Sequence, residues 1–182
     1  MKKQVTQLMI ALMGLSVAPM VFAQAVPGTG QVTFNGELYD DTCVINSGDE
    51  DQTVTLPRVS SQALPAAGVT GGSKPFTISV SKCPATLTHV AAHFETTNMD
   101  PVTRNAINQA TTLPAGNVEV QLLDHNGTSG EESVLPLGSA GEFVAVGNDG
   151  TATMYYAGQY YATGRATAGN VTAVVRYTLA YQ

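Results

Sequence analysis

The last twelve residues, 171–182, constrain this chain most. Val171, Ala173, Val175, Tyr177, Leu179 and Tyr181 share one side, and Thr172, Val174, Arg176, Thr178, Ala180 and Gln182 share the other. A period of two marks a β-strand with one buried face. A strand this apolar needs a neighbour on each edge, because an open edge leaves main-chain groups unpaired and invites aggregation. What supplies the two neighbours is therefore the central question about this chain.

The rest of the sequence points the same way. Lys74 to Cys83 reads as a strand with Phe76, Ile78 and Val80 on one face, and Thr88 to Thr96, Asn117 to Asp124 and the tyrosine-rich Thr151 to Thr163 read as others. Shorter strand patterns occur at Leu38 to Ile45, Gln52 to Leu56, Ser133 to Leu137 and Glu142 to Val146. Ser60 to Leu64 allows one turn of helix before Pro65, and Met99 to Gly116 has no clean period. Ala66 to Ser73 reads as a small-residue loop, and Ser47 to Asp51 as a solvated acidic turn without the ligand spacing of a calcium loop. Many short strands between Gly, Pro and Asn turns, with no helix of ordinary length, predict an all-β sandwich.

An earlier stretch carries its own alternation. Gly30, Val32, Phe34, Gly36 and Leu38 alternate with Gln31, Thr33, Asn35 and Glu37. A glycine on the apolar side of a strand marks a bulge or a close approach of another backbone.

Lys2 and Lys3, the apolar run Leu8 to Ala18 and the small residues of Val21-Phe22-Ala23 form a secretory signal peptide, with cleavage expected after Ala23 or after Ala25. Losing the two lysines takes the formal charge from −6 to −8. An acidic exported chain is a poor partner for nucleic acid or an anionic membrane surface, and no later apolar run is long enough to span a bilayer. Export and an even count make a disulfide the natural reading of the two cysteines, Cys43 and Cys83, with a free thiol pair or metal site as the rival. Chain-entropy reasoning assigns such a bridge roughly 4 kcal/mol.

Sites for chemistry are scarce. On one strand His89 and His93 would lie about 13 Å apart at ~3.3 Å per residue, too far to share a metal ion. Glu131 and Glu132 are neighbours and would point opposite ways on a strand, unlike a glycosidase pair. There is no nucleophile elbow, no phosphate-binding glycine loop and no paired-cysteine zinc motif. The tyrosines Tyr155, Tyr156, Tyr160 and Tyr161 suit cross-strand packing better than a ligand platform. Neither an enzyme, a cofactor nor a small-molecule substrate is expected.

Four features in order give the chain a resemblance to a known family: the signal peptide, the early strand Gly30 to Leu38 leading to Cys43, the second cysteine at Cys83, and an end running from Tyr160 to Gln182 with a penultimate Tyr181. It resembles the structural pilins of the chaperone–usher class, close to the major subunits of type 1 and P pili. The resemblance implies an incomplete immunoglobulin-like β-sandwich completed by donor-strand exchange. It divides the chain into a signal peptide (1–23), an N-terminal donor extension (24–38) and a pilin domain (39–182). Gly30, Val32, Phe34, Gly36 and Leu38 would form the donor face. Val171, Val175, Tyr177 and Leu179 are candidates for the acceptor groove, although alternation alone leaves open which face lines it. Tyr181 and Gln182 would be the end that a chaperone recognises. The implied partners are identical or related subunits, a periplasmic chaperone and an outer-membrane usher. The implied location is an extracellular pilus reached through the periplasm. A minor or tip-proximal pilin contributing to receptor binding is the alternative.

Overall fold

The computed structural model describes residues 30–36, 42–127 and 132–182. The signal peptide, Leu38 and Glu131 lie outside the described residues. The chain divides into two units, Met1–Leu38 and Tyr39–Gln182. Within the first, residues 30–36 form no strand, and Val32 and Phe34 are 76% and 91% exposed.

The second unit is all-β. Its strands are β1 (Val44–Ile45), β2 (Thr70–Ser81), β3 (His89–Glu95), β4 (Ala106–Ile107), β5 (Val118–Asp124), β6 (Ser133–Leu135), β7 (Ser139–Ala140), β8 (Val144–Ala145), β9 (Ala152–Ala162) and β10 (Arg176–Tyr181). One short 3-10 turn, Ser61–Ala63, is capped by the Ser60 hydroxyl, which accepts from the Gln62 amide. The larger sheet has the order β1-β2-β9-β5-β4, with β6 also pairing β5. The smaller has the order β10-β3-β7, with β8 also pairing β3. Every pairing between these strands is antiparallel.

The alternating apolar residues of both sheets meet between them. From the larger sheet come Ile78, Val80, Leu122, Met154 and Tyr156, and from the smaller Val90, Ala92 and Phe94, all buried. Phe94 stands edge-on to Tyr156, with ring centroids 4.9 Å apart and planes at 83°. Edge-to-face packing sets the positive rim of one ring against the negative face of the other. The Tyr156 hydroxyl accepts a hydrogen bond from the Ala92 amide at 3.0 Å, tying the sheets together through the core. Burial, the dominant effect, pushes the Tyr156 phenol up to about 12, so it stays protonated.

The expected strands at Leu38 to Ile45, Ser133 to Leu137 and Glu142 to Val146 shrink to β1, β6 and β8 among the described residues, and two further departures have plain physical reasons. β2 begins at Thr70 rather than Lys74, because the small residues expected to form a loop pair with β9 across a register irregularity between Gly71 and Lys74. Gly72 there has φ 65°, and a Cβ would lie 2.8 Å from the Tyr160 ring, so only glycine fits comfortably. The expected strand at Gln52 to Leu56 is not one, because no main-chain partner lies beside it among the described residues.

Cys43 and Cys83 form a disulfide that closes a separation of 40 residues and joins the lead into β1 to the end of β2. Cys43→Ser is expected to cost about 2–4 kcal/mol, the usual range for such a bridge. Denaturant unfolding would show this as a lower midpoint, and an unchanged midpoint would contradict it.

Candidate functional site

The site is a groove left by the hydrogen bonding of β10. Gln182 and His89 exchange both main-chain bonds, at 3.1 and 3.2 Å. In an antiparallel ladder alternate residues of a strand point their N–H and C=O to opposite edges. The even-numbered residues of β10 therefore face β3, and the odd-numbered ones face away. The pattern continues upstream of β10. Thr172 C=O accepts from the Gln109 amide at 2.7 Å, Thr172 N–H donates to Asn108 Oδ1 at 3.0 Å, and Val174 C=O accepts from Thr96 Oγ1 at 2.8 Å. Among the described hydrogen bonds, none reaches the main chain of Val171, Ala173 or Val175. The ladder itself starts at Arg176 and not at Val171, because its partner β3 ends at Glu95, directly opposite.

Across the gap runs the other wall, Asp49 to Leu56. Val54 and Leu56 are half-buried while Thr53 and Thr55 are exposed. This is a strand's alternation without a strand's partner. Phe76, Ile78, Phe94, Val120, Leu122 and Gly158 floor the groove, and Val171, Ala173, Val175 and Tyr177 belong to its β10 side. Its volume is about 920 Å³. The result, among the described residues, is an apolar trough flanked by unpaired main chain on both walls.

The odd-numbered side chains are the inward ones: Val171, Ala173, Val175, Tyr177, Leu179 and Tyr181 are half-buried while Thr172, Val174, Arg176 and Thr178 are exposed. Val171, Val175 and Tyr177 line the groove. Leu179 and Tyr181 lie beyond it and pack against the main core, and Gln182 is exposed. The Tyr181 hydroxyl accepts from the Cys43 amide at 3.1 Å. Tyr177 donates its hydroxyl to the Asp49 carbonyl at 2.7 Å, crossing from β10 to the opposite wall. Burial chiefly, then the charges of Asp49, Glu50 and Asp51, raises the Tyr177 phenol above its ordinary value.

Sequence reasoning passed over Ala173, although it lies on the named face, because a methyl group gives a weak hydrophobic signal. It also passed over Val54 and Leu56 as groove residues, and it read Ser47 to Asp51 as solvated. Asp49 is instead an anchor: its carboxylate accepts from the Ser79 amide at 2.8 Å and from Gln52 Nε2 at 3.0 Å. Elsewhere, His93 lies 3.3 Å from Glu95, and among the described residues no cluster of three or more His, Cys, Asp or Glu side chains could hold a metal ion.

A two-sheet sandwich missing a strand beside its C-terminal one is an incomplete immunoglobulin-like domain. Comparison with known proteins agrees. The family model described as type-1 fimbrial protein, A, matches residues 56–182. The major fimbrial subunit SMF-1 of Stenotrophomonas maltophilia is 41% identical over 177 residues, covering 92% of this chain and 99% of that protein. A fimbrial protein of Escherichia coli is 42% identical over 163 residues, covering 84% of this chain and 87% of its own. A solved chaperone–usher pilus subunit superposes with a TM-score of 0.59 at 21% identity, covering 87% of this chain and 99% of that one. The chain belongs to the type-1 fimbrial protein family, whose members are structural rather than enzymatic subunits.

Gly158 offers a direct probe of the groove. A Cβ there would stand 3.7 Å from Leu56 and 3.9 Å from Val120, in ordinary contact with two residues that line the trough. Gly158→Leu is expected to keep the fold and to reduce binding of an apolar dye such as ANS to the isolated subunit. Undiminished dye fluorescence in a folded variant would show that the groove is not the exposed apolar surface.

Proposed function

We propose that the groove is filled by residues 30–38 of a second copy of the chain, and that repetition of this contact builds an extracellular fimbria. The observation that carries the reading is the unpaired, inward-facing edge of residues 171–177 above an apolar floor. An added strand would satisfy those N–H and C=O groups, and its alternate side chains would enter the trough and set its register. The occupant is argued from the chain itself. The segment from Gly30 carries apolar residues at every second position up to Leu38, and Val32 and Phe34 are exposed rather than packed. Seven residues of open edge span ~23 Å at ~3.3 Å per residue, a strand of ordinary length.

Donation at one end and acceptance elsewhere is a heterologous contact. It does not close on itself and so propagates as a filament. On this reading residues 1–23 direct export, 24–38 are the donor extension and 39–182 form the accepting domain. A periplasmic chaperone lends a strand to the groove before the next subunit replaces it, and an outer-membrane usher passes the growing fimbria outward. The name of the relative from Stenotrophomonas maltophilia supports assignment as the major rather than a tip subunit.

Gly36 is the donor position where a bare backbone lets the two strands approach closely. Gly36→Leu is expected to abolish filaments while leaving the subunit's capture by the chaperone intact. Wild-type filament yield by electron microscopy would sink the donor assignment. Deleting Tyr181 and Gln182 is expected to cut recovery of the chaperone complex severalfold. Because Tyr181 also bonds to the Cys43 amide, disulfide formation is scored in parallel, and unchanged recovery would count against a recognition role.

A further inference from the structure

The groove is barred at one end. Tyr177 spans it from β10, and its hydroxyl donates to the Asp49 carbonyl at 2.7 Å. The acceptor is fastened to the opposite sheet. The Asp49 carboxylate holds the Ser79 amide of β2, and Gln52 Nε2 donates both to that carboxylate at 3.0 Å and to the Thr77 carbonyl at 2.6 Å. This single side-chain bond therefore links the edge strand of the smaller sheet to a wall anchored on the larger. The groove lining on β10 stops at the same residue, and Leu179 and Tyr181 beyond it are packed into the core cluster.

Length gives the bar a consequence. An extended segment from Gly30 to Leu38 has nine residues and needs ~30 Å, whereas the open edge from Val171 to Tyr177 offers ~23 Å at ~3.3 Å per residue. Seated in register from Val171, the whole segment continues past Tyr177 along the edge at Leu179.

We propose that Tyr177 is a positioning residue acting as a latch: its bond to Asp49 holds the two walls together in the empty subunit, and an incoming strand lodges first along 171–176 and seats fully only when that bond opens. The inference rests on the strand-acceptor reading of the groove. Since burial and the neighbouring acids disfavour the phenolate, the hydroxyl remains a donor at neutral pH. The ring contributes separately, standing 5.9 Å from Phe94, and a phenylalanine would keep that contact.

The test uses the mature chain, residues 24–182, and a fluorescent peptide of residues 24–38, with association and dissociation rates measured separately. Tyr177→Phe is expected to raise the association rate about two- to tenfold, the range one neutral hydrogen bond supports, and to leave dissociation unchanged. Gln52→Ala, which frees the Asp49 wall, is expected to act in the same direction, with the double variant no faster than the faster single one. Equal association by wild type and Tyr177→Phe would overturn the latch while leaving the acceptor reading in place. Acceleration of both rates would also overturn it, as the mark of general loosening. Failure of all variants to take up the peptide would overturn the acceptor reading and the latch together.

Discussion

Among the described residues the odd-numbered main-chain groups of the C-terminal strand have no partner, and the rest of the domain is arranged around that deficit. One edge of β10 is fully used by β3. The other faces a trough whose far wall, Gln52 to Leu56, is equally unpaired. Buried polar main chain without a partner is costly, on the order of 1–3 kcal/mol for each group. Groups on an open edge avoid that cost by remaining accessible to solvent, while the floor of the groove is apolar.

The floor is already built to the standard of a core. Phe76, Phe94 and Tyr156 form a contiguous aromatic group, with Phe76 edge-on to Phe94 at 6.4 Å and tilted toward Tyr156 at 5.8 Å. Tyr156 bonds to β3 through its hydroxyl, so the sheets are held at their working separation by contacts that need no added strand. The groove is thus an opening in a framed sandwich, with Gly158 of β9 supplying depth in the trough where any larger residue would fill it.

Much of this was legible in the sequence, and the failures have a common cause. The residue pattern located β3, β5 and β9 to within one residue at each end, and β10 at its C-terminal end, since each is long enough for its pattern to rise above chance. The all-β class followed from the same patterns. Alternation could not say where a ladder ends, because that depends on the partner: residues 171–175 keep the pattern of a strand but lose their ladder where β3 stops. The same holds for Gln52 to Leu56, patterned as a strand with nothing beside it. Of the three places where the pattern promised a strand and the described residues form none, residues 52–56 and 171–175 are walls of the groove, and the third is residues 30–36. The Tyr177 to Asp49 bond had no sequence signal, because it joins residues 128 apart through a main-chain carbonyl that any residue would offer.

The disulfide has a mechanical meaning. Cys43 immediately precedes β1, on its N-terminal side, and its sulfur is bonded to Cys83, two residues beyond the end of β2. Tension on the chain before Cys43 would otherwise fall first on β1, whose two-residue ladder could peel away bond by bond. The covalent bridge bypasses β1 and delivers the load to β2, whose long antiparallel pairing with β9 extends from Thr70 to Val80. A pull there is shared across many bonds at once.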